Sequence, residues 1–131
     1  MEKRFAPSGA VGALLPFTLI RCSAKEASLE VAYVPEPWVR NMNGTIHGGI
    51  LMTLFDSAMG TLVKCFTGEM STPTLNLSVN FSSPGYLSNT LRFAVHIEHC
   101  GAHSVQLQGR CYPENDPERT VATAQGVFFR A

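Results

Sequence analysis

Hydrophobic residues recur along this chain with two different spacings, and the changes between them divide it into elements. Residues 17–22 and 28–34 carry Leu, Val and aromatic side chains at strand spacing around the polar turn Ser23-Ala24-Lys25-Glu26, which predicts a hairpin. Pro35-Glu36-Pro37 ends the second strand, because proline cannot donate to a ladder, and a long loop through Asn41, Asn43 and Gly44 follows. Over residues 48–66 the spacing becomes helical. Ile50, Leu54, Ala58 and Leu62 form one i, i+4 row, and Leu51, Phe55, Met59 and Val63 form the row beside it. A helix this apolar should be covered on most sides, with Thr53, Asp56, Ser57 and Gly60 as a narrow polar stripe on the remainder. Beyond Gly68 the strand pattern returns in residues 72–82, where Leu75, Leu77, Val79 and Phe81 share a face, and then in 89–100, 104–112 and 120–130. Two strands, one helix and a four-strand meander predict an α+β fold: an antiparallel β-sheet wrapped around one long central helix.

Composition narrows the setting. The 131 residues, 45% hydrophobic, suit a single domain over 1–131, with no internal repeat and no linker long enough to separate a pair of domains. Ten basic and ten acidic side chains give zero formal net charge, so no broad positive field exists for nucleic acid or an anionic membrane. Low net charge and small size favour association with copies of the same chain. Cys22, Cys65, Cys100 and Cys111 show no C-x-x-C spacing, which points to reduced cysteines in a cytoplasmic protein rather than a zinc or redox site. Glu2-Lys3-Arg4 ahead of the apolar stretch 10–20 imitates a signal sequence, but Pro16 and Arg21 spoil the imitation. No run reaches the roughly 20 apolar residues of a membrane span.

Candidate chemistry concentrates at the start and middle of the helix. Gly48 and Gly49 leave unpaired backbone N–H groups with little side-chain obstruction, suited to a carbonyl oxygen gaining negative charge, although a Gly pair also serves a plain loop-to-helix turn. Asp56 is the one charged residue in the apolar run 50–63, where burying a carboxylate is costly; it is a candidate general base, or a structural carboxylate bonded to nearby hydroxyls. Eight residues separate Gly48 from Asp56, about 12 Å along a helix axis, so one carbonyl cannot touch both within one chain. A two-fold axis that sets two such helices side by side would bring Gly48 of one chain to Asp56 of its mate. No serine-hydrolase elbow accompanies Ser57, and neither a dinucleotide nor a triphosphate loop is present. His96 and His99 face opposite sides of a regular strand, so joint metal binding would need a bulge; no metal or cofactor is expected.

The motif Asn41-x-x-Gly44-Thr45-Ile46-His47-Gly48-Gly49, with Leu54-x-Asp56, Ala58-x-Gly60 and Thr74-x-x-x-Ser78-Val79-Asn80-Phe81-x-x-Pro84, resembles the hotdog-fold acyl-CoA thioesterases of the PaaI-like, phenylacetate-pathway group. That resemblance implies hydrolysis of an acyl- or aryl-CoA thioester to the acid and free CoA. It implies Asp56 as general base or nucleophile, the Gly48 N–H polarising the carbonyl, His47 shaping the turn, Asn41 holding the carbonyl or the water, and Thr74 beside the carboxylate. It also implies a homodimer with the site at its interface, assembled as a dimer of dimers. Gly49, Met52, Met59 and Phe81 are the candidate substrate-binding residues, although core packing is the commoner use of methionines such as Met52 and Met59. Relatives carry a basic residue for the CoA phosphates where this chain has Gly101-Ala102-His103; Arg92, Arg110 and Lys64 are possible substitutes. A non-catalytic acyl-CoA-binding module is the main alternative, and a hotdog hydratase a lesser one.

Overall fold

The structure, a computed structural model, describes residues 3–5 and 9–131. Strand β1 (Lys3–Phe5) and a short helix α1 (Ala10–Leu14) precede the hairpin β2 (Phe17–Ser23) and β3 (Ser28–Tyr33). The long helix α2 spans Gly48–Thr67, followed by β4 (Thr74–Phe81), β5 (Leu91–Cys100), β6 (Ser104–Pro113) and β7 (Ala122–Phe129). Neighbouring strands are antiparallel throughout, in the order β1-β2-β3-β5-β6-β7-β4. Neither β1 nor α1 is predicted by hydrophobic spacing; each is too short to show a period, and the apolar stretch 10–20 is divided between α1 and β2.

The expected four-strand meander is corrected to three strands, β5-β6-β7, with β4 at the far edge beside β7. The chain leaving β4 does not fold back on it. Instead Ser82 and Ser83 donate to the Val121 carbonyl, the Gly85 carbonyl accepts from Ile46 N–H, and Thr45 bridges Tyr86. This connection is therefore anchored on the loop ahead of α2, and β5 begins beside β3.

α2 has sharp ends. His47 is extended at φ −61°, ψ 132° and caps the helix, its side chain accepting from the Gly49 N–H. Gly68 closes it at φ 73°, a left-handed conformation that glycine adopts without Cβ strain, and its N–H returns to the Lys64 carbonyl. Leu51, Leu54, Phe55, Ala58, Met59, Leu62 and Val63 are buried against the sheet, where a fully buried side chain of this size contributes about 1.5–3 kcal/mol. Phe55 meets Phe93 edge to face with centroids 5.0 Å apart. Two strand glycines make this close approach possible. A Cβ on Gly109 would lie 2.8 Å from Val95 Cγ1 and 3.1 Å from Phe55 Cε1, and one on Gly126 would lie 2.5 Å from Met59 Sδ.

The expectation that no segment matches a membrane span needs correction as well. At 20 residues and mean hydropathy 1.3, α2 is long and apolar enough by that measure, and its contact with the sheet accounts for the apolar face.

Candidate active site

Thr74, the first residue of β4, donates from Oγ1 to Asp56 Oδ1 at 2.6 Å. That bond ties the edge strand to the middle of α2 and leaves Oδ2 as the free acceptor of the carboxylate. Asp56 is only partly buried in the chain, so solvent and the Thr74 hydroxyl, rather than a buried partner, relieve the charge conflict that its apolar run suggests. Both residues line a cleft of about 360 Å³ that runs along the polar stripe of α2 and is walled by Pro73 and Phe128.

The N-terminal end of α2 forms a second cluster. His47 is exposed, and its Nδ1 accepts from Gly49 N–H at 3.1 Å, which puts the ring proton on Nε2. Gly49 therefore has no free amide to offer a ligand, whereas the Gly48 N–H has no partner within the described residues. A Cβ at position 48 would sit 3.3 Å from Phe81 Cζ, so the half-exposed Phe81 ring packs beside Gly48 at the helix start. Asn41 shares a surface depression with His47. Its Oδ1 accepts from the N–H groups of Asn43 and Thr45 and from Thr45 Oγ1, at 2.9, 3.1 and 3.1 Å, so the carbonyl of this side chain holds the loop and only its amide donors remain free.

Within one chain these clusters stay apart: Asn41, His47, Gly48 and Phe81 gather at the helix start, and Asp56 with Thr74 in the cleft. Met52 is partly buried on the same helix, while Met59 is wholly enclosed against Gly126 in the core and faces neither cluster.

The possible phosphate-binding cations differ in their engagement. Arg92 is paired with Glu30 and Glu114, and Arg110 with Thr120, the Pro117 carbonyl and the Tyr112 ring. Lys64 lines the Asp56 cleft with its ammonium unpaired among the described residues. Thr72 also belongs to the cleft wall. It is 5% exposed, and its Oγ1 has no hydrogen-bond partner among the described residues. Sequence spacing gives no hint of Thr72, whose position depends on where β4 starts relative to α2. The bulge that a histidine metal site would require does occur, between Ile97 and His99, but His96 Nε2 meets Glu98 Oε1 at 2.7 Å instead. No cluster of three metal-ligating side chains occurs among the described residues.

Comparison with known proteins places this geometry in context. A family model described as the thioesterase superfamily matches residues 43–120. The chain is 26% identical over 110 residues to protein VdlD of Helicobacter pylori, covering 82% of this chain; it spans 62% of the length of VdlD. A phenylacetic acid degradation-related protein of Ralstonia eutropha JMP134 superposes with a TM-score of 0.84 at 26% identity, over 95% of this chain and 92% of that one. The protein smu.793 of Streptococcus mutans UA159, solved bound to acetyl-CoA, superposes with a TM-score of 0.76 at 24% identity, over 86% of each chain. The shared architecture is the hotdog fold, and the phenylacetate-pathway relative agrees with the PaaI-like resemblance of the motif.

Proposed function

Because the chain belongs to the thioesterase superfamily, we propose that it hydrolyses an acyl- or aryl-CoA thioester at a site shared by two copies. The observation that carries this reading is the Thr74–Asp56 hydrogen bond, which holds a carboxylate in an open cleft with one oxygen free. In the general-base form of the reaction, Asp56 Oδ2 takes a proton from water as the water oxygen attacks the thioester carbon. The carbonyl oxygen becomes an oxyanion facing the Gly48 N–H of the second copy, which needs no reorganisation to receive it. Collapse breaks the C–S bond, the proton passes to the departing thiolate, and acid and CoA thiol leave. In the nucleophilic form, Oδ2 attacks the thioester carbon, the C–S bond breaks and CoA leaves as the thiolate, which takes up a proton; water then cleaves the anhydride to the acid and the free Asp56 carboxylate.

The pairing of copies has its own support. Among the described residues β4 ends the sheet with an unpaired edge of eight residues, Thr-Leu-Asn-Leu-Ser-Val-Asn-Phe, carrying no charge and no proline. Edges exposed to water are normally blunted by such residues, so an unblunted one suits pairing with its own copy. Leu75 and Phe81 on that strand are 56% and 52% exposed, apolar surface that pairing would cover. Antiparallel β4–β4 pairing sets two α2 helices side by side in opposite directions, the arrangement needed to bring Gly48 to Asp56. A dimer of dimers and a cytoplasmic location extend the same proposal.

Incubation with a panel of aryl-, short- and medium-chain acyl-CoAs, following free thiol, tests the reading. Thiol release on at least one member is expected. Tight binding of panel members without any release would instead mark an acyl-CoA-binding module.

A further inference from the structure

The cleft continues past Asp56 toward the C-terminal end of α2, and its far end is built differently from its near end. Gly60, one turn on, has no side chain to fill it. Lys64, two turns on, is exposed and unpaired, unlike the engaged Arg92 and Arg110. Thr72 lines the same cleft, nearly fully buried with its hydroxyl unsatisfied among the described residues, a deficit that an incoming polar group can repair. Open space, an unpaired cation and an unmet hydroxyl along one cleft describe a receptor for an anion that can make hydrogen bonds.

We propose that this region reads a carboxylate at the distal end of the acyl group, held by the Lys64 ammonium and the Thr72 hydroxyl, so that the preferred substrates are thioesters of short dicarboxylic acids. The assignment rests on the thioesterase reading, which fixes the reacting carbonyl at Asp56. Eight residues of helix rise separate Asp56 from Lys64, about 12 Å, and a lysine stem reaching back roughly 6 Å leaves about 6 Å for the acyl chain. That span suits a glutaryl-sized chain. The phosphates of CoA fit poorly, because the extended pantetheine arm from sulfur to phosphorus measures about 14 Å, on the scale of four peptide units.

Glutaryl-CoA and pentanoyl-CoA have equal acyl length and differ in the distal carboxylate, so their steady-state hydrolysis by wild type and by Lys64→Gln tests the proposal. Wild type is expected to favour glutaryl-CoA. Lys64→Gln should lower kcat/KM for it by about tenfold, the scale of one charge-assisted hydrogen bond, mainly through KM, and leave pentanoyl-CoA within about twofold. Thr72→Val should produce a smaller loss of the same selectivity. A preference for pentanoyl-CoA in wild type, or a selectivity ratio unchanged in Lys64→Gln, overturns the proposal. So does an equal loss on both CoA esters that vanishes with the corresponding pantetheine thioesters, which would assign Lys64 to the CoA phosphates. If wild type turns over neither ester while another acyl- or aryl-CoA is hydrolysed, the proposal is overturned; if no acyl- or aryl-CoA is turned over, the hydrolytic reading fails by itself. Calorimetric binding of the same two esters to the same two proteins then decides the anion site by the same criterion: tighter glutaryl-CoA binding lost in Lys64→Gln supports it, and equal binding overturns it.

Discussion

The two faces of α2 come from the same twenty residues and obey different rules. The inner face is buried and in close contact with the sheet: Phe55 meets Phe93, Met59 fills the space over Gly126, and Val63 and Ala58 are fully buried. The outer stripe of Thr53, Asp56, Ser57, Gly60, Thr61 and Lys64 is only partly covered and is bounded by β4 along an unpaired sheet edge. On the inner face a substitution is felt as lost or excess volume. On the stripe, the same number of atoms changes charge and hydrogen bonding at a cleft and leaves the core intact. The helix thus separates the residues that make the fold from those to which the proposed reaction assigns the chemistry, one face for each.

That contrast is sharpened first by Asp56→Asn, which keeps shape but cannot accept a proton. Turnover of the best thioester should fall by about 10²–10⁴, while the thermal midpoint shifts by no more than a few degrees. Gly109→Ala is the converse experiment on the inner side. Its Cβ would meet Val95 and the Phe55 ring at 2.8 and 3.1 Å, so denaturant titration should show a loss of about 1–3 kcal/mol with turnover per folded molecule retained. Equal effects of the two variants on stability would break the division of labour. Thr74→Val, which removes the donor to Asp56 Oδ1 while keeping volume, should cost roughly tenfold in kcat with little change in stability.

The smallest effect concerns Cys111, on the sheet's inner side and fully buried, whose thiol burial pushes from 9.0 up to about 12. Between those values the unfolded chain releases this proton and the folded one keeps it. Stability should therefore fall as pH rises from about 9 toward 12, by roughly 1 kcal/mol at the first unit. Tyr33 and Tyr112, also raised by burial, act in the same direction at higher pH. At neutral pH, exposed Cys22 and Cys65 should react with a thiol reagent in the folded state, and Cys111 only after denaturation.

Much of this molecule is legible in the sequence, for a reason visible in α2 itself. Where one face is buried and the other is not, hydrophobic spacing records it, and the helix expected over 48–66 ends one residue later at Thr67. The longer strands appear within about two residues of their expected limits, and Pro73 sets the start of β4. Strand order is a different matter. β4 pairs with β7 across some forty residues, and spacing within a strand says nothing about its neighbour. Gly109 and Gly126 are readable as strand glycines, but not as the seats for Phe55 and Met59 until the helix is laid over them. At the site, the motif brings out Asp56, Thr74, Gly48 and His47. It does not reveal that Asn41 spends its carbonyl on Thr45 and Asn43, or that Thr72 carries an unmet hydroxyl, because both depend on loop geometry.

If the amide of one copy and the acid of another act on a single carbonyl, mixed dimers will reveal it. Gly48→Pro deletes that amide at the first helical position, where proline is tolerated, and the extended His47 ahead of it accepts a following proline. Alone, Gly48→Pro and Asp56→Asn should each be nearly inactive. Co-expressed with different tags and purified as heterodimers, they should regain about half of wild-type turnover, because one of the two sites then combines an intact Gly48 amide with an intact Asp56. Heterodimers as inactive as either parent would contradict a shared site.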